Sequence, residues 1–146
     1  MDAPDENTTP HIVVGDIFGT KFLDPNAPDA TTVGPLVELS TLTPLKNQVR
    51  HLHAGSFFHL FDQALQTSLA SLLAKLVSNE PGSIIFGSHV SQPQSGFRGV
   101  DAGMRRMYCF NPEDFSAMWE KIYGKDKVRV KATLVDTLMT WSVELL

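Results

Sequence analysis

The last two apolar segments of the chain are separated by only two residues, and this spacing constrains the fold more than any other feature. Val128–Val135 (VRVKATLV) alternates apolar and polar side chains, and Leu138–Leu145 is a second β-type segment. Parallel strands need a connection of a dozen or more residues, whereas a turn at Asp136–Thr137 is long enough only for antiparallel neighbours. The sequence therefore predicts a C-terminal antiparallel hairpin.

Upstream of the hairpin, strand-like and helix-like segments alternate. Val49–Ser56 and Ile84–Val90 flank Leu60–Val77, whose apolar residues recur at helical spacing. A second helix is predicted after Asn111, because Asn is a favourable N-cap and Pro112 suits the first helical position. Strands that alternate with helices favour a parallel sheet. We therefore expect an α/β fold with a partial Rossmann-like sheet, mostly parallel, that ends in the antiparallel hairpin.

The remaining segments are less regular. Residues 1–10 have no apolar periodicity and are expected to form a flexible tail, which leaves residues 11–146 as one domain. His11–Ile17 (HIVVGDI) and Leu36–Leu39 are each expected to form a short strand, separated by the turn-rich loop Asp24–Pro35. Ser91–Met104 is expected to be a surface loop.

Composition narrows the functional classes. The chain has 12 Lys and Arg against 16 Asp and Glu, a net charge of −4, with no densely basic segment, so nucleic acid is not an expected partner. Cys109 is the only cysteine, which excludes an intrachain disulfide. The acidic N-terminus has no secretory signal, and no apolar run approaches the roughly 20 residues of a spanning helix. We expect a cytoplasmic protein that does not insert into membranes.

Four segments of the sequence resemble a known enzyme family. They are HAGSFFHLFD (His53–Asp62), EPGSIIFGSHV (Glu80–Val90), FNPEDFSAMW (Phe110–Trp119) and the hairpin KVRVKATLV…LMTWSVEL. In residue type and spacing they resemble the class I, S-adenosylmethionine-dependent methyltransferases of fungal secondary metabolism, which modify polyketide, terpenoid and meroterpenoid products. The resemblance extends over about Leu42–Leu145 and implies a methyltransferase-like sheet.

The same resemblance implies that the donor-binding part is missing. In that family a first strand ends in an acidic residue and a glycine-rich turn, and the turn backbone approaches the cofactor closely. Nothing in this sequence matches that element, and Arg50 stands where the family tends to have Asp. The resemblance therefore implies a truncated methyltransferase-like protein without a cofactor. Asp16 is the candidate for a ribose contact if S-adenosylmethionine binds, and a solvated turn aspartate is the alternative.

Histidines occur where the ends of two predicted strands would meet. Ligands of parallel α/β sheets bind beyond the carboxyl ends of the strands. We therefore predict His53, His59 and His89 as catalytic residues, with Asp62 orienting His59 and Tyr108 steadying a substrate oxygen. The alternative for each histidine is a hydrogen-bonded residue of the core or of a helix or strand end. A metal is not predicted, because one strand cannot turn neighbouring histidines toward one ion without distortion.

Aromatic, hydroxyl and basic residues near these histidines are candidates for binding a hydrophobic small-molecule substrate. They are Ser56, Phe57, Phe58, Arg98, Arg105 and Trp119. The aromatic residues would otherwise belong to the core, and the arginines would otherwise be solvated in their loop.

One hypothesis is preferred on this basis, with two alternatives. The preferred hypothesis is a methyltransferase-like isomerase or cyclase that acts by acid–base catalysis on a terpenoid, meroterpenoid or polyketide intermediate, without methyl transfer. The first alternative is an S-adenosylmethionine-dependent O- or C-methyltransferase completed by another chain or by dimerisation. The second is a non-catalytic partner subunit or remnant. Because a sheet that begins at an internal strand exposes an edge, we also expect a homodimer.

Overall fold

Strands and helices form where the local apolar pattern is strong. In the computed structural model, which describes residues 10–98 and 106–146, the strands are β1 (His51–His53), β2 (Ile84–Val90), β3 (Gly96–Arg98), β4 (Met107–Cys109), β5 (Val128–Val135) and β6 (Leu138–Leu145). The helices are α1 (Gln63–Leu76) and α2 (Pro112–Tyr123). Short 3₁₀ helices lie at Leu36–Glu38, Thr43–Leu45 and Phe58–Leu60. The fold is therefore α/β, as predicted.

The main sheet is mixed rather than mostly parallel. Its order is β1-β2-β6-β5, in which β1 and β2 pair in parallel and β6 pairs antiparallel with both β2 and β5. The predicted hairpin of β5 and β6 is confirmed. The prediction of a mostly parallel sheet is wrong, because only one of the three strand pairs is parallel. The reason is that β6 inserts between β2 and β5 instead of adding to an edge. β1, β2 and β5 still run in one direction, as their connecting helices require.

α2 begins and ends as its sequence predicts. The Asn111 side chain accepts the N–H of Asp114 at 2.7 Å, and Pro112 occupies the first helical turn. Gly124 ends the helix with φ 99°, a conformation that L side chains rarely adopt. These caps fix the helix beside the sheet, and three of its side chains are buried there: Phe115, Met118 and Trp119.

Only one face of the sheet is buried by the helices. Side chains alternate along each strand, and the inward-facing residues of β2 and β6 join the core with the apolar stripe of α1, which includes Leu69, Ala70, Leu73 and Leu76. On the other face, Phe86 of β2 is 40% exposed beside Ser142 of β6. An Arg129–Glu144 ion pair at 3.2 Å crosses this face between β5 and β6. The described chain is therefore a two-layer unit with one open sheet face.

The two predicted N-terminal strands are corrected by the structure. Residues 11–16 are irregular, and Leu36–Glu38 forms a 3₁₀ helix where Leu36–Leu39 was expected to extend. Neither segment pairs with the sheet, because β1 is only three residues long and offers a short edge. The predicted loop at Asp24–Pro35 is confirmed as turns and irregular chain. Residues 1–9 of the predicted tail lie outside the described residues.

The long loop predicted at Ser91–Met104 contains a strand that the sequence did not reveal. β3 pairs antiparallel with β4 in a separate two-stranded sheet, with Phe97 opposite Tyr108. Residues 99–105 lie outside the described part. Neither of the two described α-helices is long and apolar enough to cross a lipid bilayer.

Gly87 provides a test of the β1–β2 packing. A Cβ at this position would overlap the carbonyl oxygen of Ala54 and lie 3.1 Å from Cζ2 of Trp141. We predict that Gly87→Ala lowers the free energy of unfolding, measured in urea, by about 2 kcal/mol through overpacking. Gly34→Ala is the matched control, because nothing lies within 4 Å of the corresponding Cβ. Equal stability of the two variants would contradict the predicted close approach.

Candidate functional site

The carboxyl ends of β1 and β2 lie side by side because these strands pair in parallel. Beyond β1 the chain stays attached to β2: the Ala54 N–H donates to Phe86 O at 2.9 Å, and the Ser56 N–H donates to Ser88 O at 2.7 Å. Ser56 then adopts φ 51°, which turns the chain into the 3₁₀ helix Phe58–Leu60. This region, residues 53–61 and 87–90, is called the strand-end region below.

The sheet separates the predicted catalytic histidines into two groups. His53 is exposed on the outer face, where its ring centroid lies 5.1 Å from that of Phe86. His89 is only 2% exposed and faces the helices. His59 stacks near it, with ring centroids 6.4 Å apart. The structure therefore brings His59 and His89 together and places His53 elsewhere. Alternation along β2 puts Phe86 and His89, three positions apart, on opposite faces.

His89 is held as a neutral, buried imidazole. Trp141 Nε1 donates to His89 Nδ1 at 3.0 Å, which leaves the proton of the neutral ring on Nε2. Among the described residues Nε2 has no hydrogen-bond partner. The rings of Phe58 and Phe115 lie 5.5 and 5.1 Å from the imidazole. Burial and then the charge of His59 lower the pKa of His89 to about 4. This environment makes His89 a structural residue near neutral pH.

His59 is the more accessible member of the pair. It is half-buried, and burial lowers its pKa from 6.5. Its Nδ1 has no partner within the described part of the chain. Asp62 was predicted to orient His59, but its carboxylate accepts the N–H of Leu65 at 2.9 Å and caps α1. No hydrogen bond between Asp62 and His59 occurs in the described structure, so the orienting role is corrected to a capping role.

Three other predicted site residues have different surroundings from those expected. Phe58 and Trp119 are 0% exposed, so both are core residues rather than walls of a ligand site. Tyr108 lies on β4, with its ring centroid 5.4 Å from Phe97. Burial and then the nearby Asp114 raise the pKa of Tyr108. Tyr108 lines the groove between the helices, and among the described residues its side chain has no hydrogen bond to a histidine.

The remaining predicted substrate-binding residues are dispersed. Ser56 is exposed and linked to β2 through its backbone. Phe57 is half-buried and lines a cavity beside β1. Arg98 lies on β3, and Arg105 lies outside the described residues. Of the six residues predicted to contact substrate, Phe57 is thus the one that the structure places at a cavity.

The cavity beside β1 was not anticipated from the sequence. It has a volume of about 470 Å³, within the usual range of small-molecule sites. One side of it comes from the N-terminal segment, including Ile17 and Phe22, and another comes from β1, including Leu52. Leu73 and Leu76 of α1 also line it. Among the described residues that line it, His53 is the only titratable one. The apolar residues near Gly15 are a signal for it, but their pattern also predicts a strand.

A larger groove of about 1000 Å³ lies between α1 and α2. Its walls mix charged and polar side chains, including Thr67 and Ser71 of α1 and Asp114 and Lys121 of α2. The groove does not include the histidines of the strand-end region. Its size alone does not make it a catalytic candidate.

The described residues around Asp16 do not form a site for S-adenosylmethionine. Asp16, the candidate for a ribose contact, is exposed and accepts the N–H of Phe18 at 3.0 Å within a turn. The space that a Cβ on Gly15 would occupy is filled by the Phe22 ring, so this glycine accommodates packing rather than a ligand. No strand ends near Asp16 in the described part. Nor do the described residues include a cluster of three or more metal-ligating side chains.

The buried His89 predicts an acid-sensitive stability. Its pKa is depressed in the folded state to about 4, against 6.5 in the unfolded chain, so its contribution is fully present above pH 6.5 and is lost as the pH falls toward 4. The loss is about 3 kcal/mol. Urea unfolding between pH 4 and 8 measures it. His89→Gln, which keeps an acceptor for Trp141, is expected to flatten the dependence. His51→Gln on the exposed strand face is the control, and an equally flat profile there would contradict this assignment.

Comparison with known proteins supports the family resemblance over part of the chain. No family model matches the sequence. Over 81 residues, 56% of this chain, it is 30% identical to the O-methyltransferase phiE of Fungal sp.. Over the same length it is 26% identical to the Asnovolin E/Chermesin D methyltransferase nvfJ of Aspergillus novofumigatus. The matched segments span 27% and 29% of those proteins. The chain is therefore similar, over just more than half of its length, to a minor part of two fungal methyltransferases.

Proposed function

We propose that this chain is the acceptor-side portion of a methyltransferase whose donor-binding portion is contributed by further polypeptide. The observation that carries the proposal is the sequence match to two methyltransferases. The misfit between the residues around Asp16 and the methyl donor is consistent with a donor held elsewhere. The alternative raised from the sequence thus becomes the preferred function.

Isomerase or cyclase chemistry has weaker support. A general acid or base near neutral pH needs an accessible group whose pKa lies close to the working pH. His89 fails both conditions, because it is 2% exposed and its pKa is about 4. The pKa of His59 is lowered as well. Neither matched relative is named as an isomerase or cyclase.

The open face of the sheet is the surface that a completing polypeptide would meet. Phe86 is 40% exposed at its centre, and Leu138 and Val135 are 51% and 66% exposed at the hairpin end. A second copy of this chain is one source of such a cover, and a different subunit is another. Light scattering of the purified chain distinguishes the two, since a homodimer has twice the mass of the monomer. Whether the cover is a second copy or a different subunit does not affect the proposal that the protein acts in the cytoplasm.

A chimeric enzyme tests the proposed function. The matched segment of the O-methyltransferase phiE is replaced by the corresponding residues of this chain, so that the relative supplies the donor-binding part. We expect the folded chimera to convert labelled S-adenosylmethionine to labelled product with the relative's own acceptor, at a rate reduced by imperfect packing at the junctions. Circular dichroism establishes folding. A folded chimera that binds the donor but transfers no methyl group would contradict the proposal.

The chain by itself provides the complementary test. We expect no binding of S-adenosylmethionine in the micromolar range by calorimetry, because the described residues offer it no fitting site. Micromolar binding would show that the chain has its own donor site and would overturn the division between the two portions. If the chain converts a terpenoid or polyketide compound into a product of unchanged mass when no methyl donor is present, that result would instead support the isomerase hypothesis.

A further inference from the structure

The cavity beside β1 has walls that select for an apolar occupant. Ile17, Phe22 and Leu45 line it on the side of the N-terminal half, and Leu52 and Phe57 line it on the side of β1 and the strand-end region. A charged ligand would lose its hydration here without gaining a counter-charge from the described lining, in which His53 is the sole titratable residue. The walls therefore favour a neutral compound with a large hydrocarbon surface.

One polar group lies at the rim of this cavity. The His53 imidazole overhangs Gly55, so closely that a Cβ on Gly55 would lie 2.9 Å from Cε1 and 3.2 Å from Nε2. On its other side the ring rests against Phe86, at 5.1 Å between centroids. An imidazole can both donate and accept a hydrogen bond. A single hydroxyl or carbonyl oxygen on the ligand would match it.

The lining of the cavity favours a small molecule over an added protein strand. The N-terminal segment and β1 contribute facing walls of one concavity, so the side of β1 that a new strand would occupy already has residues of this chain beside it. The volume of about 470 Å³ suits a compound of two to four fused rings. A flat or gently curved ring system would contact both walls at once.

We propose that the cavity beside β1 binds a neutral, largely hydrocarbon ring compound through one oxygen that is hydrogen-bonded to His53. Its identification as the methyl acceptor rests on the proposed function, whereas the binding itself does not. His53 then serves as the contact that selects an oxygenated ring over a plain hydrocarbon. Gly55 permits that contact, because any larger residue would displace the imidazole from the rim.

Three related probes test the site without any methyl donor. They are 2-naphthol, naphthalene and 2-naphthoate, which share a ring system and differ in the polar group. We expect calorimetry to give a dissociation constant on the order of 0.1 mM for 2-naphthol. Naphthalene is expected to bind about fivefold more weakly, the equivalent of one net hydrogen bond. 2-Naphthoate is expected to bind more weakly than either because its charge is not compensated.

Substitutions separate the cavity from the hydrogen bond. Leu45→Trp fills the cavity and is expected to abolish binding of all three probes, with Leu42→Phe as a milder filling variant. Leu60→Trp is the matched control, because Leu60 is 50% exposed and does not line the cavity. His53→Phe and Gly55→Ala are expected to remove the preference for 2-naphthol over naphthalene while leaving naphthalene binding in place.

Several results would overturn the proposal. The first is that Leu45→Trp and Leu42→Phe leave the binding of 2-naphthol unchanged. The second is that the protein prefers 2-naphthoate, and the third is that 2-naphthol does not bind detectably at millimolar concentration. A preference for 2-naphthol that survives in folded His53→Phe would remove His53 from the site. Because no donor is present, these failures are distinguishable from failure of the chimera to transfer a methyl group.

Discussion

The hydrogen bond from Trp141 Nε1 to His89 Nδ1 lies where every layer of the described fold meets. It joins β6 to the end of β2 at 3.0 Å. The ring of Phe58 stacks on the imidazole at 5.5 Å, and Phe115 of α2 lies 5.0 Å from Trp141. Losing either partner would leave a buried polar nitrogen without its bond, which costs more than the bond itself contributes. The strand-end region is therefore positioned by an aromatic cluster built around one neutral histidine.

This arrangement explains why β6 can sit inside the sheet. An inserted strand must be compatible with neighbours on both sides, and β6 pairs with β5 over its whole length and with β2 over all but its last residue. Three of its inward residues, Met139, Trp141 and Val143, are at most 2% exposed. Gly87 lies opposite Trp141, where the indole needs room beside the Ala54 carbonyl. The small residue on β2 and the large one on β6 are thus complementary.

The sequence predicted the elements whose signals are local. The capped helix after Asn111, the apolar stripe of α1 and the two-residue connection of the hairpin depend on neighbouring residues, and all three are confirmed. The order of the strands in the sheet does not depend on local signals, because the residues of β6 do not indicate that it lies between β2 and β5. His11–Ile17 has a strand-like composition, but a strand also needs a partner edge, and the three residues of β1 do not pair with it.

In the candidate site, too, the features that depend on local signals were predictable and those that depend on tertiary structure were not. Proximity of His59 and His89 was predictable from the parallel pairing, and the separation of His53 from them was predictable from alternation along β1 and β2. The cavity was not, because its walls come from residues about 30 positions apart that meet only in the tertiary structure. Helix capping by Asp62 was predictable from the sequence, because an Asp directly before a helix is a favourable N-cap and this role needs no histidine.

Burial and accessibility together decide which histidine is available to a ligand. Of the predicted catalytic histidines, His59 and His89 each have one buried ring nitrogen without a hydrogen-bond partner among the described residues, and burial lowers both pKa values. His53 is exposed and borders the apolar cavity. His89 is also committed to the hydrogen bond from Trp141, which joins β2 to β6. The proposed polar contact to a bound compound is therefore assigned to His53, which borders the cavity.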